Sequence, residues 1–278
     1  MRLFRYDNGD ISVHHSRDEH PDGASFVMHA HTGCEVYLFL EGKGYYIVEG
    51  NHYALEPGTV MLMREGEVHM LHISPEQPYE RIAVHFPLRM LWEEPAVLTG
   101  LFTDHPLGKE NGYPPLSGDG YIADSLRHLC RVSAFPLTPD EMDRRIRASL
   151  IPVLFELAGR REHAVSVVPK ESGTAADPTA SSLIAYINEH LTEKMSMGFL
   201  AKRTFFSVSH MNKVFRAATG SSVWDYIVVK RLLLARSLIR DGKPATYAAA
   251  RAGFSDYSSF YRQYRKRFGV SPAADRKK

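Results

Sequence analysis

Ala249-Ala250-Arg251-Ala252-Gly253-Phe254-Ser255-Asp256-Tyr257-Ser258-Ser259-Phe260-Tyr261-Arg262-Gln263-Tyr264-Arg265-Lys266-Arg267-Phe268-Gly269-Val270-Ser271-Pro272 is the stretch that decides how this 278-residue chain is read. Asp256 stands where a helix N-cap side chain accepts backbone N–H bonds. From there Phe260, Tyr264 and Phe268 recur at helical spacing as an apolar stripe. Ser258, Arg262 and Arg265, at i, i+4 and i+7, fall on another face. Gly253 occupies the preceding turn, where a positive φ carries no steric cost for glycine. A turn followed by a helix with one apolar and one cationic face is the pattern of a helix-turn-helix.

A second instance lies about 50 residues upstream. Between Ser207 and Thr219, Met211, Val214, Phe215 and Ala218 form the apolar stripe, and Ser209, Asn212, Lys213 and Arg216 repeat that spacing on a polar face. Asn can pair bidentately with adenine, and Lys or Arg can reach guanine or phosphate. Phe199-Leu200-Ala201-Lys202-Arg203 supplies the supporting helix. Between the two units, Trp224, Ile227, Val228, Leu234, Ala235 and Leu238 mark a long connecting helix. Its start, Ser222-Val223-Trp224-Asp225, resembles a capping box with Asp in the Glu position.

Charge divides the chain. Residues 181–278 hold 18 Lys and Arg against 6 Asp and Glu, a net of +12, so the remainder is net −10 within a total of +2. Twelve of the 14 histidines precede residue 180. A basic C-terminal block suggests a polyanionic partner, and an acidic, His-rich N-terminal block suggests a separate task. The length suits two domains. No apolar run approaches membrane-spanning length, and Met1-Arg2-Leu3-Phe4-Arg5-Tyr6-Asp7 lacks the apolar core of a signal peptide, so a cytoplasmic chain is expected. Cys34 and Cys130 form no CxxC, and no disulfide framework is expected.

The spacing Ala249-x3-Gly253-Phe254-Ser255-Asp256-x-Ser258-x-Phe260-x-Arg262-x-Tyr264-Arg265-x3-Gly269-x-Ser271-Pro272 resembles the signature of AraC/XylS-type transcriptional regulators. Phe215-x4-Gly220, Tyr226-Ile227 and Arg231-x3-Ala235 fit the same family's first unit and connecting helix. The resemblance implies two recognition helices in successive major-groove segments of promoter DNA. Ser209, Asn212 and Lys213, then Tyr257, Ser258, Ser259 and Arg262, would face bases, with Arg216 and Arg265 as further DNA contacts. It also implies a small-molecule effector such as a sugar, a homodimer, and contact with RNA polymerase if the protein is an activator. The chain departs from the family pattern at Pro244, Ala245 and Ala248, where a hydroxyl cap and large aliphatics are usual. Fewer buried methylenes, at about 0.8 kcal/mol each, predict a looser second unit.

Upstream, from about Phe26 to Phe86, the signal is strand-like. Turn residues at Gly42-Lys43-Gly44, Gly50-Asn51, Pro57-Gly58 and Glu65-Gly66 separate the apolar runs Val36–Leu40, Tyr45–Val48 and Val60–Met63, the pattern of a sandwich or barrel. His29 and His31 share a strand face, Glu35 shares their parity, and His69 follows the last of these turns. Such ligands suit a divalent transition metal. Gly23-x5-His29-x-His31-x3-Glu35-x6-Gly42 resembles the first cupin motif. Gly66-x2-His69 matches the second only in part, because Arg64 and Ile73 replace its Pro and Asn. Three readings stay open: a bound metal at His29, His31, Glu35 and His69; a metal-free effector pocket of His29, His31, Glu35, Tyr37, Tyr46 and His69, helped by Tyr45 and His52; or histidines satisfied within a core. No cofactor is required by the first and main function inferred.

The stretch Pro87 to Gly120 shows no periodicity. After it Ile122, Leu126, Leu129 and Cys130, then Met142, Ile146, Leu150, Val153, Leu154 and Leu157, predict two helices, the second starting after Thr138-Pro139. The expected organisation is a multidomain α and β protein. Residues 1–163 form a cupin-like β-barrel with helices at about 121–161 that can dimerise, 164–180 form a linker, and 181–278 form an all-α double helix-turn-helix. The function expected is a ligand-responsive, sequence-specific DNA-binding transcription regulator without enzymatic activity. The alternative is a metal-dependent cupin enzyme with a DNA-binding tail. No GxSxG, GxGxxG or Walker A loop supports nucleophilic or nucleotide chemistry.

Overall fold

A computed structural model of the chain describes residues 1–22, 28–115, 120–131, 137–163 and 178–276. It divides into a unit of residues 1–27 and 33–173 and a unit of residues 28–32 and 174–278. Most of the expected linker, residues 164–177, and Gly23 of the first cupin-like motif lie outside the described residues.

The first unit contains β1 (Arg2–Asp7), β2 (Ser12–Asp18), β3 (Cys34–Glu41), β4 (Gly44–Val48), β5 (Asn51–Leu55), β6 (Val60–Met63), β7 (His69–Ile73), β8 (Tyr79–Phe86) and β9 (Gly112–Tyr113). They form two antiparallel sheets, ordered β1-β2-β8-β3-β6-β9 and β5-β4-β7. The four predicted turns fall between β3 and β4, β4 and β5, β5 and β6, and β6 and β7.

Side-chain alternation explains why the strands look uniformly apolar. Val36, Leu38, Leu62, Ile82 and Val84 leave one face of the large sheet for the helices. Tyr37, Phe39, Met61, Met63 and Ala83 leave the other and meet Tyr46, Tyr53, Leu55, Leu71 and Ile73 of the small sheet. Both faces are therefore buried, so period-2 polarity is lost from the sequence.

The helices are α1 (Ala96–Thr103), α2 (Tyr121–Leu129) and α3 (Pro139–Gly159). α3 begins at a capping box: Thr138 Oγ1 accepts from Glu141 N–H, and the Glu141 carboxylate accepts from Thr138 N–H. Ile122, Leu126, Leu129, Ile146, Leu150, Val153, Leu154 and Leu157, the predicted stripe, are buried with the outer face of the large sheet. Burying eight such side chains is worth about 1.5–3 kcal/mol each before conformational entropy is subtracted.

The second unit is helical: α4 (Pro178–Glu189), α5 (Met197–Thr204), α6 (Val208–Thr219), α7 (Val223–Arg240), α8 (Ala245–Arg251), α9 (Tyr257–Phe268) and α10 (Pro272–Asp275). Ser196, Ser207, Ser222, Asp256 and Ser271 each accept a backbone N–H of the helix that they precede. At Ser222 only half of the expected capping box is recorded: Ser222 Oγ accepts from Asp225 N–H, while the Asp225 carboxylate takes its bond from the Ser222 hydroxyl, at 2.6 Å, and not from the backbone.

Candidate DNA-reading faces and barrel ligand site

In both helix pairs the second helix buries one face and displays the other. α6 buries Met211, Phe215 and Ala218 and exposes Ser209, Lys213 and Arg216. α9 buries Phe260 and Tyr264 and exposes Tyr257, Ser258, Arg262 and Arg265.

Two expected base-facing residues differ from the pattern. Asn212 is half-buried; its Nδ2 donates to Val208 O at 3.1 Å and its Oδ1 accepts from Val223 N–H at 3.1 Å. That amide joins α6 to the start of α7, so its position on the polar stripe hid a structural task. Ser259 is also half-buried, and its Oγ accepts from Gln263 Nε2 at 3.1 Å.

A buried guanidinium ties the two pairs together. Arg231 of α7 donates from Nε to Leu191 O at 2.9 Å, from Nη1 to Gly253 O at 2.8 Å and from Nη2 to Glu193 O at 2.6 Å. Burial pulls its pKa below the ordinary arginine value. Gly253 has φ +86°, and a Cβ there would stand 2.9 Å from Thr192 O, so glycine is needed for conformation and for space. The segment leaving α4 and the turn before α9 thus converge on one side chain. In the second pair, buried Asp275 accepts from Arg236 Nε at 2.7 Å and Tyr264 Oη at 2.8 Å, with Arg240 at 3.4 Å. Burial alone would raise this carboxyl, but those partners outweigh it and hold it below its ordinary value.

The turn between α5 and α6 carries local strain. Phe205, between α5 and α6, is left-handed at φ 57°, which costs a non-glycine residue about 1–2 kcal/mol.

In the barrel, Glu35 is buried between two imidazoles, with His69 Nε2 at 3.4 Å and His85 Nε2 at 3.5 Å. His69 Nδ1 lies 2.9 Å from Glu67 O, and His85 Nδ1 lies 3.2 Å from Ser12 Oγ. Burial opposes charge on His69, but the Glu35 carboxylate outweighs it and raises the imidazole above its ordinary pKa. His29 and His31 lie in the 28–32 segment grouped with the second unit, their rings edge to face at 5.0 Å. Tyr37 and Tyr46 are buried in the barrel core, their rings edge to face at 4.9 Å, and Tyr37 Oη meets Tyr79 Oη at 2.8 Å. Tyr37 is a packing residue, whereas the Tyr46 ring lies 5.9 Å from that of His69. Tyr45 stacks with His52 and His72 at 5.4 and 4.8 Å. Alternation puts those three on the strand face opposite Tyr46.

His85 escaped the sequence reading because it belongs to no motif; its pairing opposite Glu35 across β3 and β8 was the signal available once the register was known. The donor set fits a divalent metal in kind. Each Nε2 lies beside a different oxygen of the Glu35 carboxylate, and each imidazole is oriented through Nδ1. If bound, such a metal would be held by Glu35 and His85, whose donor atoms lie within 4.8 Å of each other, and would supply a Lewis-acidic centre for an oxygen-bearing ligand.

A barrel gathering histidines and a carboxylate, followed by paired helix-turn-helices with exposed basic faces, defines a DNA-binding regulator with a sensory domain. Residues 16–151 match the AraC-like ligand binding domain, and residues 200–278 match a helix-turn-helix domain. The chain belongs to the AraC family and is a ligand-responsive, DNA-binding transcription regulator. It is 25% identical over 279 residues to the HTH-type transcriptional activator RhaS of Salmonella heidelberg, covering 94% of this chain and 96% of that one. Among solved structures, the DNA-binding domain of AdpA in complex with a target DNA is 28% identical, with TM-score 0.34, covering 36% of this chain and 92% of that one. ToxT from Vibrio cholerae is 10% identical, with TM-score 0.39, covering 96% and 98%. Nothing in these likenesses supports the enzyme alternative. No helix among the described residues is long and apolar enough to cross a membrane.

Proposed function

We propose that the chain is a cytoplasmic, non-enzymatic activator that occupies paired promoter sites as a homodimer and answers to a small polar, sugar-like effector. The observation that carries the DNA-reading part is the pair of exposed faces, Ser209, Lys213 and Arg216 on α6 and Tyr257, Ser258, Arg262 and Arg265 on α9, both packed to α7 and linked through Arg231. Activation is supported by the name of the RhaS relatives and would require contact with RNA polymerase. A second copy is assigned to the open groove between α2 and α3, lined by Tyr121, Arg127, His128, Ser149 and Pro152, with Phe155 exposed on α3.

The effector site is placed at Glu35, His69 and His85, beside the Tyr46 ring. A carboxylate and two imidazoles suit vicinal hydroxyls, and an aromatic face suits a sugar ring. No metal is required for this role; a divalent ion is the alternative occupant of the same donors. Effector binding acts only if its affinity differs between arrangements that fit and do not fit paired sites. Melting the full chain against a panel of monosaccharides tests this. A bound sugar raises the Tm and shifts promoter affinity, whereas flat melting and unchanged affinity across the panel reject a sugar effector.

A further inference from the structure

Phe205 breaks two local rules at once. It ends α5 in the left-handed region that helices usually give to glycine, and its side chain is 95% exposed. The turn itself asks for no side chain, since it closes through Phe205 N–H to Lys202 O and Phe206 N–H to Ala201 O. Packing here falls to the next residue: Phe206 is half-buried and its ring meets His210 edge to face at 4.4 Å. The fold therefore carries a strained, unburied phenylalanine where glycine would serve, and a strained residue kept without a packing return points to a functional contact.

Its position indicates the partner. Phe205 lies two residues before Ser207, the cap of α6, and α6 opens with exposed Val208 and Ser209. Between Lys194 and Asp225 the sequence has no acidic residue, while Lys202, Arg203, Lys213 and Arg216 are exposed. An apolar tip on a run of chain whose exposed charges are all cationic, at the leading end of a recognition helix, suits duplex DNA better than a protein surface of mixed charge.

We propose that Phe205 is a DNA-contact residue that packs its ring on the C5-methyl group of a thymine at the major-groove edge, giving the first unit an apolar reader beside its polar ones. The inference rests on α6 entering the groove.

The test starts from duplexes selected out of a random library by the full wild-type chain. Phe205→Gly should melt at the same temperature or higher, bind the selected duplex about tenfold more weakly, and bind random duplex as the wild type does. Phe205→Asn, which tolerates the left-handed region without adding glycine's freedom, should behave alike. Replacing thymines singly by deoxyuridine removes only the methyl; at one position it should cost the wild type about fourfold, the worth of one buried methyl, and cost Phe205→Gly nothing. A lower Tm in the glycine variant would show that the ring serves the fold and overturn the inference. So would a loss within twofold, an equal loss on random DNA, or unchanged DNA affinity with loss of promoter output, which would assign the ring to a protein partner. Selection of no sequence by the wild-type chain would refute groove entry by α6, and this inference with it.

Discussion

Replacing Arg231 with methionine should disconnect the two reading units while leaving every DNA-facing side chain in place. Arg231 is 5% exposed, and its guanidinium makes three donor bonds to carbonyl oxygens at 2.9, 2.8 and 2.6 Å. A bond to a charged donor contributes about 1.5–3 kcal/mol, and each buried carbonyl left without a donor costs about 1–3 kcal/mol. Because all three share one side chain they do not add, and the expected loss is about 3–5 kcal/mol, the range for breaking a buried charged network. Arg231→Lys should recover little, since one ammonium cannot reach three carbonyls that a planar fork spans. Of the two tryptophans, Trp92 and Trp224, only Trp224 lies in the helical unit. Urea unfolding followed by Trp224 fluorescence in a Trp92→Phe background therefore reads the right module. The variant should also tolerate altered spacing between paired half-sites. A loss below about 1 kcal/mol, with spacing preference intact, would refute the role of Arg231 as the tie between units.

Other outcomes follow from the same geometry. Arg262→Ala should cost about 1–3 kcal/mol at one base position and relax the preference there, and an unchanged binding-site profile would reject the assignment. Lys266→Ala should weaken specific and random duplex alike and make the slope of log K against log salt shallower by about 0.9; a sequence-dependent loss would contradict phosphate contact. Asp275 has its folded pKa held below the ordinary carboxyl value, so its stabilisation is full above that value and is lost as pH falls through the depressed one. Asp275→Asn should cost about 1.5–3 kcal/mol at pH 7 and flatten the decline of the urea midpoint in acid; an unaltered acid limb would exclude this carboxylate as its source. Elemental analysis of the purified chain should find metal well below one equivalent, and a full equivalent lost in Glu35→Gln would favour a metal at Glu35 and His85.

Helix ends and recognition faces were legible because their chemistry is local. Asp256, Ser222 and Thr138 cap as their sequence neighbourhoods predict, and the stripes of α2, α3, α6 and α9 bury as helical spacing requires. Strands β1 and β2 are not legible in the sequence: their residues, Arg2–Asp7 and Ser12–Asp18, are polar and punctuated weakly, and β2 becomes a strand by joining the edge of β8, with β1 added in turn to β2. The inward roles of His85 and Asn212 were hidden for a related reason, since they depend on cross-strand register and on the approach of α7. Tyr37 looks like a pocket residue by composition, but alternation sends it into the aromatic packing between the sheets, where its hydroxyl meets Tyr79; Tyr46, from the same packing, also reaches the His69 ring. The expectation of a looser second unit from Ala245 and Ala248 would show as faster amide exchange in α8 than in α5.

Footprinting with the full chain at physiological ionic strength tests the central claim most directly. Two recognition helices carried by one α7 predict two protected blocks on one side of the duplex, about one helical turn apart. Protection on a selected duplex no better than on a scrambled one would contradict the account.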